Sequence, residues 1–179
     1  RLVDLVAEGV DCVIRSGMPE DSSLSAKPLA LIPEVTCASP EYLQRYGRPQ
    51  HPEELTEHLA VGFFASHQDR RYPFEFLVDG ALRRVELVSR IDVNHADSYL
   101  ACALRGCGLI QLPRYRVERQ LASGELVEVL AAYPSPGLPV HALYPRHRQQ
   151  SRRVRVFIDW VSQIYAQRFG PLDRRQLQP

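Results

Sequence analysis

Residues 92–113 constrain the fold of this chain more than any other stretch. Asn94 is placed to cap a helix, and Asp97, three residues on, adds negative charge near the helix start. Leu100, Ala103 and Leu104 supply one apolar helix face, and Gly106 and Gly108 end it. Leu109-Ile110-Gln111-Leu112 then reads as a buried strand stopped by Pro113. A helix feeding a buried strand through a glycine turn argues for an α/β fold, and the rest of the chain repeats that alternation.

Residues 1–9 read as an apolar helical end closed by Gly9, and 10–14 as a strand buried on both faces, as in a parallel sheet. Arg15-Ser16-Gly17 reads as the polar turn after it. Helix, strand and loop in this order resemble the second half of a βαβ unit, so the chain is expected to start inside a fold. Further strands are expected at 34–38, 60–65, 74–78, 83–88, 109–112, 126–130 and 140–144, with Asp79-Gly80 as a hairpin turn. Helices are expected at 41–46, 52–55, 97–106, 115–122 and 151–169. The last carries Val154, Phe157, Ile158, Val161, Ile164 and Tyr165 on one stripe. Residues 66–72 form a charged loop, and Pro134, Pro136, Gly137 and Pro139 mark a linker after which the chain returns to its first lobe.

Composition excludes several functions. Lys and Arg number 22 against 21 Asp and Glu, which leaves no basic field to hold a polyanion. No apolar run approaches the roughly 20 residues of a bilayer span, so no membrane partner is expected. Cys12, Cys37, Cys102 and Cys107 stand singly, and His51, His58, His67, His95, His141 and His147 lack ligand spacing, so neither a metal nor a cofactor is implied. Five residues apart on one helix, Cys102 and Cys107 would point roughly 140° apart, which favours reduced thiols over a redox switch. No nucleophile elbow, P-loop, dinucleotide fingerprint or zincin motif is present, and a non-enzyme is expected.

Binding chemistry remains. In open α/β sheets, ligands sit beyond strand ends and at helix N-termini, where unpaired N–H groups and the dipole attract anions. Arg15 and Ser16 follow one buried strand; Asn94, His95, Asp97 and Ser98 surround the start of the 97–106 helix. These six are the candidate effector-binding residues, expected on opposite walls of an interlobe cleft. The bland alternative makes Asn94 an ordinary cap, Arg15 a surface charge and His95 a loop residue. The basic run Arg146, Arg148, Arg152, Arg153 and Arg155 is read as a solvated or subunit-contacting face, not a nucleic-acid site.

Together the motifs resemble the effector-binding domain of LysR-type transcriptional regulators. The resemblance rests on R-L-V-D-L-V-A-E-G-V-D-C-V-I-R-S-G at the start, D-S-S-L at 21–24, C-A-S-P-E-Y-L at 37–43 and G-x-P-x-x-P-E-E-L at 47–55. It continues through A-L-R-G-C-G-L-I-Q-L-P at 103–113, S-G-E-L-V-E-V-L, H-A-L-Y-P-R-H-R and V-R-V-F-I-D-W-V, reaching about Phe169. It implies a type 2 periplasmic-binding-protein-like fold, with two Rossmann-like lobes joined by two crossover strands. By that likeness 1–33 and 139–179 form lobe I, incomplete at its N-terminus, and 34–138 form lobe II. A winged helix-turn-helix, a linker helix and a first β-α-β segment would lie outside this chain.

The likeness further implies a cytoplasmic sensor that binds a small, polar or anionic effector. It would assemble as a dimer or tetramer and reach promoter DNA only through the missing N-terminal domain. The rival reading is an extracytoplasmic solute-binding protein of a transporter on the same fold. A third is an enzyme such as a dehydratase.

Overall fold

The computed structural model describes residues 10–17, 24–64, 71–146 and 151–172. In chain order the elements are β1 (Val13–Ser16), β2 (Leu24–Ile32), β3 (Glu34–Ala38), α1 (Pro40–Tyr46), β4 (Leu59–Phe63), β5 (Phe74–Val78), β6 (Ala81–Val85) and β7 (Val88–Val93). Then follow α2 (Ala96–Leu104), β8 (Ile110–Pro113), α3 (Glu118–Ser123), β9 (Val127–Val129), β10 (Leu138–Pro145) and α4 (Arg152–Phe169). Short 3-10 turns occupy Pro52–Glu57 and Arg114–Arg116. The expected helix at 1–9 lies outside the described residues, as do most of the charged loop at 66–72 and Arg148.

The chain divides into two units, Arg1–Ile32 with Gly137–Pro179, and Pro33–Pro136. In the first, β10 lies between β1 and β2 and pairs antiparallel with both. The register slips between Val140 and His141, which face Ala30 and Pro28. A bulge is where a strand tolerates a proline that cannot donate to the ladder. Helix α4 lays Val154, Ile158 and Val161 on this sheet, against Leu29, Ala30, Ile32, Val140 and Ala142. Spacings of four and three residues put those three side chains on one stripe. Phe157 and Ile164, expected on the same stripe, are 37% and 41% exposed and flank it instead.

Two expectations for this unit are corrected. The first strand starts at Val13, not at residue 10, and its burial alternates, with Ile14 40% exposed. Arg15 and Ser16 are not a turn after the strand; they are its last two residues, opposite His141 and Val140. The strand runs antiparallel because its hydrogen-bonding partner is the returning strand β10, which local apolarity could not reveal.

In the second unit β3 lies between β8 and β9, antiparallel to both, while β4 and β7 pair in parallel and β5 and β6 form a hairpin. Asp79 and Gly80 turn the hairpin with φ of 51° and 77°, the left-handed pair that matches strand twist. A parallel bridge between Ala60 and Leu109 ties β4 to the lead-in of β8. Alternation along these strands feeds two apolar clusters. Val35, Cys37, Val61, Ile110 and Leu112 meet Tyr99 and Ala103 of α2 on one side. Ala38, Ala60, Leu109 and Val129 meet Tyr42, Leu55, Phe74 and Phe76 on the other. A sheet covered on both faces explains why the strands read as nearly continuous apolar runs.

Local chemistry closes the elements. Ser39 caps α1, its Oγ accepting from the Tyr42 N–H at 3.2 Å. Fully buried Tyr42 accepts from the Leu59 N–H at 2.9 Å, and its hydroxyl also lies 3.1 Å from the Leu59 carbonyl and from His58 Nδ1. Glu34 and Ser135 stand where the chain enters and leaves this unit, and Ser135 Oγ donates to the Glu34 carboxylate at 3.0 Å. Burial, with a smaller push from Glu75, raises the Glu34 pKa to about 7 against the opposing Ser135 hydrogen bond.

Candidate functional site

The start of α2 is built by the parallel pair β4 and β7, whose carboxyl ends lie side by side in register Phe63 with Val93. The ladder continues one bond further, from the Phe64 N–H to the Val93 carbonyl at 3.1 Å. Gly62 leaves room in β4 for the Asp92 carboxylate: a Cβ there would meet Asp92 Oδ1 at 1.9 Å and push that side chain aside. Ser89 Oγ accepts from the Gly62 N–H at 2.9 Å and lies 2.7 Å from Asp92 Oδ1, while Arg71 pairs with Asp92 at 3.7 Å. This polar cluster aims β7 into the turn from which α2 departs.

The cap of α2 differs from expectation. His95, not Asn94, occupies the N-cap, with extended backbone and no side-chain cap hydrogen bond. Asn94 lies one residue earlier and is exposed. The reason is where the backbone leaves extended geometry, which β7 sets by ending at Val93. The helix therefore begins with N–H groups that no side chain of the N-cap residue serves, the arrangement that attracts an anion. Asp97 in the first turn accepts from Arg116 Nη2 at 2.9 Å and lies 3.9 Å from His95 Nδ1. Asn94, His95, Asp97 and Ser98 are all exposed and gather within this one turn.

Arg15 and Ser16 stand together on β1 of the other unit, Arg15 half-buried and Ser16 exposed. The following residue is fixed twice: the Gly17 N–H donates to the Pro139 carbonyl at 2.9 Å, and the Gly17 carbonyl lies 3.1 Å from His141 Nδ1. Sequence reasoning missed Arg116, Ser89 and Arg71. A glycine inside the apolar run 60–65 was the available signal, since such a residue marks a close approach. Two open hollows lie along α4, and Arg152, Arg153, Val156, Phe157 and Trp160 line one of them. Arg152, Arg153 and Arg155 are exposed there. Among the described residues, no group of three His, Cys, Asp or Glu side chains is placed to hold a metal ion.

The family model for the LysR substrate binding domain matches residues 1–166. The chain belongs to the LysR family. This LysR domain is 38% identical over 165 residues to YhjC, an uncharacterized HTH-type transcriptional regulator of Escherichia coli K12, covering 92% of this chain and 55% of that protein. It is 30% identical over 165 residues to the HTH-type transcriptional activator AaeR of the same organism, covering 92% and 52%. Among solved structures it is similar to the regulatory domain of CrgA from Neisseria meningitidis, at 28% identity and TM-score 0.71, covering 91% of this chain and 79% of that one. The LysR domain spans about half the length of the curated relatives it matches. Its fold is the type 2 periplasmic-binding-protein-like α/β architecture of LysR regulatory domains. Relatives that are transcriptional regulators favour the regulator over a transporter's solute-binding protein. Among the described residues no helix is long and apolar enough to cross a membrane.

Proposed function

We propose that this LysR domain senses a small, polar or anionic metabolite for a cytoplasmic transcriptional regulator. The reading is carried by its match, along most of its length, to HTH-type regulators about twice as long. The start of α2 supports an anionic or polar ligand: uncapped N–H groups, the helix dipole, and the exposed side chains of Asn94, His95 and Ser98.

In this proposal the domain binds its ligand without transforming it, a reading supported by its membership of a family of transcriptional regulators. A ligand with higher affinity for one arrangement of the two units shifts the population toward it. In an assembled dimer or tetramer that shift alters the spacing of attached DNA-binding domains. A ten-fold preference amounts to about 1.4 kcal/mol of bias.

Isothermal titration of the full-length protein with a panel of small carboxylates and other polar metabolites tests the reading. A saturable heat signal that weakens in Asn94→Ala and Ser98→Ala is expected. A folded full-length protein that binds nothing across the panel would refute the sensor. Binding unchanged in these variants would refute the site alone.

A further inference from the structure

The end of α2 closes with both hydrogen bonds of a Schellman turn. The Cys107 N–H donates to the Cys102 carbonyl at 3.1 Å and the Gly106 N–H to the Ala103 carbonyl at 3.0 Å. Gly106 makes the turn possible with φ of 69°. In this motif the residue after the glycine folds back onto the residue two before the last helical one. Here those two residues are both cysteines.

The turn thus overrides the helical geometry that would keep the thiols apart. Cys107 is not on the helix; Gly106 reverses the chain and returns it. The 3.1 Å bond alone limits the two Cα atoms to at most about 7 Å, and bond angles bring them closer. A disulfide needs roughly 4.4–6.8 Å. Both side chains are half-buried against the apolar cluster of Val35, Val61 and Ile110, so a small reagent can reach them while each confines the other. Burial first, and the adjoining Cys107 thiol second, push the Cys102 thiol above its ordinary range.

Cys107 is also held from both sides. A Cβ on Gly106 would lie 3.5 Å from Ser39 Oγ, and one on Gly108 would lie 2.6 Å from the Ala60 carbonyl carbon in β4. The backbone around Cys107 is therefore fixed between α1 and β4 before any bond forms. Little entropy remains to be lost on closing the ring.

We propose that Cys102 and Cys107 form a reversible intramolecular disulfide in exchange with a small-molecule disulfide. One cysteine thiolate attacks a sulfur of that disulfide, forming a mixed disulfide and expelling one small thiolate. The second cysteine gives its proton to solvent and attacks the protein sulfur, forming Sγ–Sγ and expelling the other small thiolate. Two electrons pass from the protein to the small disulfide, which leaves as two thiols. The ring closed is short, so the bond constrains the unfolded chain little and stays easy to reduce, as a switch requires. It would lock the C-terminal turn of the helix whose first turn carries Asn94, His95, Asp97 and Ser98. The inference stands independently of whether that turn binds a metabolite.

The test uses the full-length protein equilibrated in oxidised and reduced glutathione, quenched with iodoacetamide and digested with trypsin without reductant. Arg105 lies between the two cysteines, so cleavage there leaves peptides 91–105 and 106–114 joined only if the disulfide formed. The expected result is that the joined pair replaces both alkylated peptides as the buffer is oxidised, exceeds every linkage to Cys12 or Cys37, and vanishes with dithiothreitol. Cys102→Ser and Cys107→Ser should each arrest at the mixed disulfide on the remaining thiol. Recovery of both wild-type peptides separately, alkylated or carrying glutathione, from protein that remains folded by circular dichroism would overturn the proposal. The wild-type map decides the matter even if a serine variant fails to fold.

Discussion

Replacing Glu34 by Gln should remove a pH dependence of stability that acts between about pH 4.5 and 7. Burial raises the Glu34 pKa from 4.5 to about 7, with Glu75 adding to the rise and the Ser135 hydrogen bond opposing it. Glu75 is itself paired with Arg84 at 2.8 Å, and the buried Tyr99 hydroxyl is the other titratable neighbour that feels Glu34. The folded state therefore holds a proton that the unfolded chain releases earlier. Stability from this group is complete below about pH 4.5 and is lost as pH rises through about 7. The difference of roughly 2.5 units amounts to about 3 kcal/mol as a ceiling. Gln matches the neutral acid in shape, and its carbonyl can still accept from Ser135. Urea unfolding of both proteins at about pH 4 and about pH 8.5 gives the two differences needed. Glu34→Gln should match wild type at the lower pH and exceed it by about 2–3 kcal/mol at the higher. An advantage that stays the same at both values would refute the assignment of a buried, proton-holding carboxyl.

Other substitutions test the packing around the proposed site. Gly108→Ala places a Cβ within 2.9 Å of three β4 backbone atoms. Relieving that clash strains the bonds joining Val61 to Leu109 and Leu109 to Leu59, at a cost of about 2–4 kcal/mol, or about 5–15 °C in Tm by thermal melting. Tyr42→Phe leaves the Leu59 N–H without its buried acceptor and should cost about 1–3 kcal/mol in urea unfolding. Asp97→Ala breaks a pair with Arg116 that is largely exposed and should cost less than about 1 kcal/mol. A larger fall in ligand affinity in that variant, read by titration, would then report binding and not folding.

What could be read from the sequence was mostly chemistry that acts within a few residues. Ser39 before Pro40, Gly47 after Tyr46 and Asp79-Gly80 between two apolar runs specify their structures locally, and α1 and the β5–β6 hairpin form there. Strands whose identity depends on distant partners were harder. β2 carries Lys27 and Pro28, β7 carries Arg90 and Asp92, and neither shows the pattern of a buried strand. β1 was misread at its end because Arg15 and Ser16 look like a polar turn, while pairing with β10 keeps them extended. At the candidate site, Asn94 through Ser98 could be singled out from a helix start alone. Arg116 could not, because it reaches Asp97 only once the chain has passed through α2 and β8. The cysteine pair shows the same limit in miniature: a helical wheel separates Cys102 from Cys107, and one left-handed glycine reunites them.

The pairing of β10 between β1 and β2 has a consequence for how the chain is made. Val13 pairs with Leu143 and Ile32 with Leu138, so neither early strand has its partner until the whole of Pro33–Pro136 has been synthesised. At roughly 5–20 residues per second that wait is on the order of 10 s, long compared with the closing of a hairpin. The inserted unit has its own strands and both of its apolar clusters within one continuous stretch and can settle during the delay. The unit that begins first therefore finishes last, and its two waiting strands are the edges most in need of protection as the protein emerges.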